Sequence, residues 1–419
     1  LRTSEISPMT NKIPAFLVVL TFLAACGSET APEQQPAVDF AVEAKRIAET
    51  SLIIDTHVDV PYRLEARPQD VSQATEGGDF DYPRAVSGGL NVPFMSIYTP
   101  AALEAEGRSK EVAERLIDSV EAIAKDAPDK FAIARSVADV RQQFESGLIS
   151  LPMGMENGSP IEGDLANLQH FYERGIRYIT PAHSLSNHIS DSSYDENRQW
   201  GGLSDFGKEL ILEMNRVGIL VDVSHVTDDA FWQIMELSKV PVIASHSSAR
   251  HFTPGFERNM SDDMIVALAE NGGIIHINFG SSFISQKARD YGDARRAAGE
   301  EYLEEHPDLT ESFLYREFPA MYAEDNGPLP FASLDDVLDH FDHVVALTGV
   351  DHVGIGSDYD GVGDSLPVGL KDVSQYPNLI EGLLRRGYTE EDIRKILGEN
   401  LLRVWEASER YAATTSSNT

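Results

Sequence analysis

Cysteine is almost absent from this chain. One residue, Cys26, is present in 419, which excludes an internal disulfide framework and any metal site built on thiolates. Basic side chains are scarce as well: 34 Lys and Arg stand against 68 Asp and Glu, a net charge of −34. Such an acidic surface repels phosphate backbones and anionic headgroups, so nucleic acid is set aside as a partner. No apolar run reaches the roughly 20 residues that a bilayer-spanning helix needs. A glycine-rich phosphate turn after the first strand-like run is also missing, which argues against a doubly wound nucleotide-binding sheet. What remains, 42% hydrophobic and 24% charged, is an ordinary globular composition that can bury a sizeable core.

The lone cysteine closes the longest apolar run. In KIPAFLVVLTFLAAC, Lys12 precedes an apolar stretch that ends in Leu23, Ala24, Ala25 and Cys26, the layout of a secretion signal. It resembles a bacterial lipoprotein signal, which is cut before the cysteine and carries lipid on the sulfur. Residues 1–25 are therefore read as a signal peptide, with 1–8 upstream of a natural start at Met9, and 26–41 as a flexible tether rich in Pro, Gln and Glu. The expected location is the periplasm or cell surface, lipid-anchored to a bacterial membrane, and Gly27 after the cysteine favours the outer one. A buried helix with an incidental cysteine is the competing reading.

From Val42 onward, short Val- and Ile-rich runs alternate with segments of helical period, the pattern of repeated β/α units around a parallel sheet. Eight runs read as strands: SLIIDTHVD, GGLNVPFMSIY, LISLPMGMENG, IRYITPAH, GILVDVSH, VPVIASHSS, GGIIHINFG and DHVGIGSDYDG. Between them, SDFGKELILEMNRVG starts on a Ser204 N-cap and stops at Gly218, and SDDMIVALAENGG repeats that grammar. Eight units predict an α/β fold with a single (β/α)8 TIM barrel over 42–412, an acidic insert of helices at about 281–330 near the barrel mouth, and a disordered tail at 413–419.

In such a barrel, chemistry sits at the carboxyl ends of the strands, and several runs end in ionisable residues there. Three His-x-acidic pairs occur, but His306 with Asp308 and His340 with Asp342 fall in helical or loop context, while His57 and Asp59 end a strand, where i and i+2 point the same way. Glu156 ends the third run, and His225 and His246 end the fifth and sixth, each flanked by serine. Individually these read as a solvated carboxylate and as hydrogen-bonded core histidines. Together they offer imidazole nitrogens and carboxylate oxygens without sulfur, a donor set suited to catalytic zinc. Glu156, set between two histidine-bearing groups, could bridge two ions around a shared hydroxide that attacks a carbonyl. Asp358 is the candidate proton shuttle, with Asp360 competing. His183 is assigned to polarising the substrate carbonyl, with a structural role open and His188 as a spare.

These motifs resemble the membrane dipeptidase family, also called renal dipeptidase: DTHVD, RYITPAH, VDVSH, PVIASHSSAR, ERNMSDD, HVGIGSDYDGV and the closing stretch through NLLRVWEA, in order from about Ile53 to Ala407. The resemblance implies a metal-dependent hydrolase barrel with two zinc ions, hydrolysing dipeptides with free termini and tolerating a D-residue at the carboxyl side. By motif, His57 and Asp59 would hold one zinc, His225 and His246 the other, and Glu156 would bridge them. Asp358 would be the acid/base, His183 would face the scissile carbonyl, and Arg258 would clamp the substrate carboxylate, a task that suits a planar guanidinium. A homodimer is also implied.

Two departures stand out. Members often carry Asn-Phe-Tyr where this chain has Asn278, Phe279 and Gly280, and a glycine where it has Ser357. A substrate-facing phenol is thus expected to be missing, and Ser357 is expected to bond Asp358. The competing functions are another amide or lactone hydrolysis at the same paired-metal site, and a non-catalytic solute-binding lipoprotein.

Overall fold

The structure, a computed structural model, describes residues 39–310 and 312–416. The expectations for the signal, the tether up to residue 38 and Cys26 lie outside the described residues.

All eight runs become barrel strands. In chain order they are β1 (Ile54–Val58) and β2 (Val92–Tyr98); then β3 (Phe131–Ile133) and β4 (Ile149–Leu151), which form a separate two-stranded sheet; then β5 (Met153–Glu156), β6 (Ile176–Thr180), β7 (Leu220–Val221), β8 (Ile243–Ala244), β9 (Ile274–Ile277) and β10 (Val353–Ile355). The third run is thus divided, its first half pairing outside the barrel and its second half within it. The eight-stranded sheet is parallel in the order β7-β6-β5-β2-β1-β10-β9-β8. A parallel bridge between Asp222 and Ile243, with Val223 N donating to Ile243 O at 2.8 Å, joins its two ends. These strands are buried from end to end apart from the half-buried Tyr98, as expected when side chains fill the barrel and helices cover its outside.

The helices obey the local signals. Ser204 caps Asp205–Val217 through Gly207 N, and the helix ends at Gly218 with φ 94°, a left-handed position that costs glycine nothing. Thr227 and Ser261 cap the next two helices through Ala230 N and Met264 N. The region read as an insert contains the helices Ser281–Ile284, Gln286–Glu305, Ser312–Arg316 and Phe318–Asn326.

Both predicted edges of the domain shift outward. The helix Phe40–Thr50, capped by Asp39, begins inside the segment read as tether. The helix Asn400–Ser416 runs into the segment read as a disordered tail, where Thr415 Oγ1 donates to Arg216 O at 3.4 Å. Trp405 of that helix is fully buried against Phe94, with ring centroids 5.4 Å apart, and it closes the amino end of the barrel with Leu52, Ile54, Val92, Leu220, Ile243, Ile274, Leu401 and Leu402.

Candidate active site

Pairing register sets the height of the reactive groups. Tyr98 lies opposite Glu156, and Glu156 opposite Thr180, so groups at or just beyond the strand ends share one rim. His57 and Asp59 come from the end of β1, Glu156 from the last residue of β5, and His183, His225, His246, Asn278 and Asp358 from the first residues after β6, β7, β8, β9 and β10.

Glu156 sits in the middle. Its Oε2 lies 3.4 Å from His57 Nε2, which is itself 3.4 Å from Asp59 Oδ2. Its Oε1 lies 3.1 Å from His225 Nε2, 3.2 Å from His246 Nε2 and 3.5 Å from His183 Nε2. One carboxylate therefore turns one oxygen to each of two donor groups. Two ligands of a single tetrahedral zinc, bound at 2.0–2.2 Å, stand about 3.3 Å apart, and these separations match that spacing. Three trios in this nest converge tightly enough to hold a cation: His57, Glu156 and His246; Glu156, His183 and His225; His57, Asp59 and Asp358.

Electrostatics also call for positive charge. Asp59, Glu156 and Asp358 are 6%, 4% and 8% exposed, and buried carboxylates this close together need compensation. His57 Nε2 and Asp59 Oδ1 are buried without hydrogen-bond partners. Burial opposes charge on His57, but Tyr178, Glu156 and Asp59 outweigh it and raise its pKa well above the ordinary imidazole value. Burial holds His225 and His246 well below that value, helped by Arg258 at both, so their rings are neutral and able to ligate.

The ring orientations are fixed from behind. Tyr178 OH donates to Thr56 O at 3.0 Å and sits 2.8 Å from His57 Nδ1. Nδ1 then donates to the Tyr178 oxygen, so Nε2 is the nitrogen that faces Glu156 and would give its lone pair to a cation on losing its proton. Ser245 Oγ donates to Asp222 Oδ2 at 2.6 Å and lies 2.7 Å from His246 Nδ1, which selects the same tautomer. The close approach of Tyr178 depends on a missing side chain, because a Cβ on Gly154 would stand 1.9 Å from the Tyr178 ring. The rim is also strained: His225 and Asp358 adopt φ of 68° and 64°, uncommon for residues with side chains and typical of functional sites.

Asp358 and Asp360 separate cleanly. Asn278 Nδ2 donates to Asp358 Oδ2 at 2.8 Å. Burial, then the neighbouring Asp59 and Glu156 charges, push the Asp358 carboxyl up to about 7 against the pull of His57. Asp360 instead accepts from Arg63 Nε at 2.8 Å and from Asp79 N at 2.7 Å, a loop-fastening role. The expected Ser357–Asp358 bond is not made: Ser357 Oγ donates to Asp55, which also accepts from the Tyr376 hydroxyl and from His57 N at 3.1 Å. Ser357 thus ties the end of β10 to β1 and to the covering helix that carries Tyr376, because its side chain turns outward from the barrel toward Asp55.

Arg258 is 3% exposed, donating from Nη1 to Ser247 Oγ at 2.8 Å and from Nη2 to His246 O at 2.7 Å, with Nε unpartnered. Its guanidinium lies over Phe283, which packs on Phe256, and Phe256 packs on Tyr194 beside His225. No single stretch of sequence marks this aromatic wall, since its members come from two loops and the short helix Ser281–Ile284. A side chain at Gly280 would meet Phe283 and Val362 at 2.9 Å, so those two residues fill that space. His183 is 20% exposed in its side chain and its ring lies between those of Tyr98 and His225. His188 stands apart, with Nδ1 2.6 Å from Glu104 and Nε2 accepting from Gly163 N.

A parallel barrel with a buried, carboxylate-centred nest of imidazoles at its carboxyl rim defines a metal-dependent hydrolase. Comparison with known proteins narrows that class. The chain belongs to the membrane dipeptidase family, peptidase family M19, whose model matches residues 41–419. Among solved structures it is similar to a probable dipeptidase, PvdM, of Pseudomonas aeruginosa, with a TM-score of 0.77 and 26% identity over 89% of this chain and 99% of that one. It is also similar to a metallopeptidase of Rhodobacter sphaeroides solved with a phosphinate mimic of the dipeptide L-Ala-D-Ala, with a TM-score of 0.70 and 26% identity over 85% and 99% of the two chains. A third, the metallopeptidase called dipeptidase AC, gives 0.70 and 27% over 86% and 99%. The chain is a metallopeptidase that hydrolyses dipeptides, which sets aside the solute-binding alternative.

Proposed function

We propose that the enzyme is a zinc dipeptidase acting on L-Xaa-L-Xaa and L-Xaa-D-Xaa dipeptides, with His57 and Asp59 holding one zinc, His225 and His246 the other, and Glu156 shared between them. The observation that carries this reading is the division of the Glu156 oxygens between two donor groups. When bound, the two cations supply a water acidic enough to deprotonate near neutral pH and polarise the scissile carbonyl.

The chain's own residues do the rest. Arg258, buried and with an unused Nε, pairs with the substrate carboxylate and fixes the register of the dipeptide. His183, the most exposed imidazole of the nest, donates from Nε2 to the carbonyl oxygen as negative charge develops there. Asp358 takes the proton of the attacking water and delivers it to the departing amine as the C–N bond breaks, a transfer suited to a carboxyl whose pKa lies at about 7. The dipeptide mimic bound by the Rhodobacter relative supports a D-residue at the carboxyl side. Lipid anchoring through Cys26, export toward the outer membrane and assembly as a homodimer belong to the same proposal. Labelled palmitate incorporation that is lost in Cys26→Ala would test the anchor.

A panel of L,L and L,D dipeptides and simple lactones, assayed with and without chelator, tests the activity. Chelator-sensitive cleavage of dipeptides but not lactones is expected, and lactone turnover alone would point to the other hydrolysis. Arg258→Met should raise KM for dipeptides at least about tenfold while leaving their carboxyl amides nearly unaffected, as expected for loss of a charge-assisted pair worth about 1.5–3 kcal/mol. Equal effects on both would remove the clamp.

A further inference from the structure

A second group of metal-ligating side chains lies outside the nest. His251 belongs to the short turn Arg250–Phe252 after β8, Asp262 opens the helix Asp262–Glu270, and His343 lies on the helix Leu334–Thr348. One ligand atom from each falls within 4.8 Å of the other two. His343 Nε2 is 2.8 Å from Asp262 Oδ1, and the His251 and His343 rings stack with centroids 4.4 Å apart and planes at 24°. No protein group among the described residues hydrogen-bonds His251. The adjacent His340 cannot join, because its Nδ1 accepts from Ala249 N and its Nε2 donates to Ile284 O.

From this arrangement we infer a third cation site, for a zinc-class divalent ion, held by His251, Asp262 and His343 and completed by water. Two imidazoles and a carboxylate form a borderline donor set that suits zinc, and tetrahedral coordination leaves the fourth position to solvent, which reaches the cluster from the side of the exposed His251. Ligand atoms must stand about 3.3 Å apart around such an ion, so the His343–Asp262 pair opens by a fraction of an ångström and the exposed His251 ring swings in, both through side-chain rotation alone. Phe252 packs against both His340 and His343, which keeps the turn seated on the helix without the ion.

The ion would act as a staple. It ties the segment Ala249–Met260, closed on itself by a bridge between those residues and carrying Arg258, to two helices, one of them some ninety residues further along the chain. Anything that binds only the folded arrangement stabilises it by mass action, so zinc beyond that taken up by the rim should raise Tm.

The test uses the full chain, stripped with chelator and titrated with zinc alone, following bound zinc by equilibrium dialysis and Tm by calorimetry. The wild type should bind one more zinc than His251→Asn or His343→Asn. Each substitution should weaken that one site at least about tenfold, as loss of a ligand does, and abolish the last increment of the Tm rise. The comparison reads a difference between variants, so it holds however many ions the rim takes up. His251→Asn is an exposed change that leaves the core untouched, so the fold survives it. An anomalous zinc peak between His251 and His343 in crystals would give the site directly. Equal zinc stoichiometry and equal Tm response in wild type and both variants would overturn the proposal, as would a third ion that all of them bind alike.

Discussion

The two ends of the barrel interior are built on opposite principles from the same eight strands. At the amino end, Leu52, Ile54, Val92, Phe94, Leu220, Ile243 and Ile274 close around Trp405 and its helix in an apolar plug. At the carboxyl end, the residues at or just beyond the strand ends are His57, Asp59, Glu156, His225, His246 and Asp358, with two of these in left-handed backbone. Like charges and strained dihedrals oppose folding, and apolar burial favours it. The floor thus supplies stability that the rim spends on chemistry. Tyr178 joins the two, with its ring packed in the floor against Phe94 at 5.6 Å and its hydroxyl set against His57 at 2.8 Å.

If that division is right, rim and floor substitutions should have separable effects. The largest is expected at Asp358: Asp358→Asn should lower kcat by roughly 10²–10⁴, the usual worth of a general acid/base, while metal content and Tm stay near wild type. Steady-state kinetics beside elemental analysis checks this, and a near-normal rate would take Asp358 out of proton transfer. The opposite pattern is expected at the floor, where Trp405→Ala should cost about 3–5 kcal/mol in denaturant unfolding yet leave kcat within a few-fold where the protein remains folded. A proportionate loss of turnover would show that the ends are not independent.

At the junction, Tyr178→Phe should weaken zinc binding about 10–100-fold, as loss of a partner behind a ligand does, and cost only about 1 kcal/mol of stability. Competition with a chelator measures the first and urea unfolding the second. A variant with unchanged zinc affinity would leave the rim oriented by something other than the floor.

A separate effect, read as a slope and not as a loss of function, concerns acid. Burial lowers His276 and His340 from 6.5 to about 4. Unfolded chains take up protons at these positions as pH falls below about 6.5 while the native state does not, so their contribution is complete above that pH and is lost toward pH 4. The slope is about 1.4 kcal/mol per pH unit for each group. His340→Gln should flatten the stability curve between pH 6.5 and 4 by one such slope, and an unchanged slope would show that His340 protonates in place.

Much of this was legible in the sequence, for physical reasons that differ by residue. Every barrel strand could be found because strands buried on both faces are apolar runs, and β7 and β8, two residues each, were still betrayed by the runs around them. His57, Asp59, Glu156, His225 and His246 could be grouped because barrel geometry sends strand ends to one place. Arg258 has no such address: it lies 14 positions after β8 in a loop, and only a motif resemblance singled it out. Tyr178 and Asn278 carry no such signal, because each acts through a contact across the fold: Tyr178 with His57, 121 residues apart in the chain, and Asn278 with Asp358, 80 apart. Ser357 differs from expectation for the converse reason: neighbours along a strand face opposite sides, so its hydroxyl turns to Asp55 and the helix outside while Asp358 faces the rim.

The measurement that bears most directly on the account is anomalous diffraction at the zinc edge from crystals of the loaded enzyme. Two peaks at the rim are predicted, one beside His57 and Asp59 and the other beside His225 and His246, each touching a different oxygen of Glu156. A single rim peak, or a Glu156 carboxylate turned away from the metal, would contradict it.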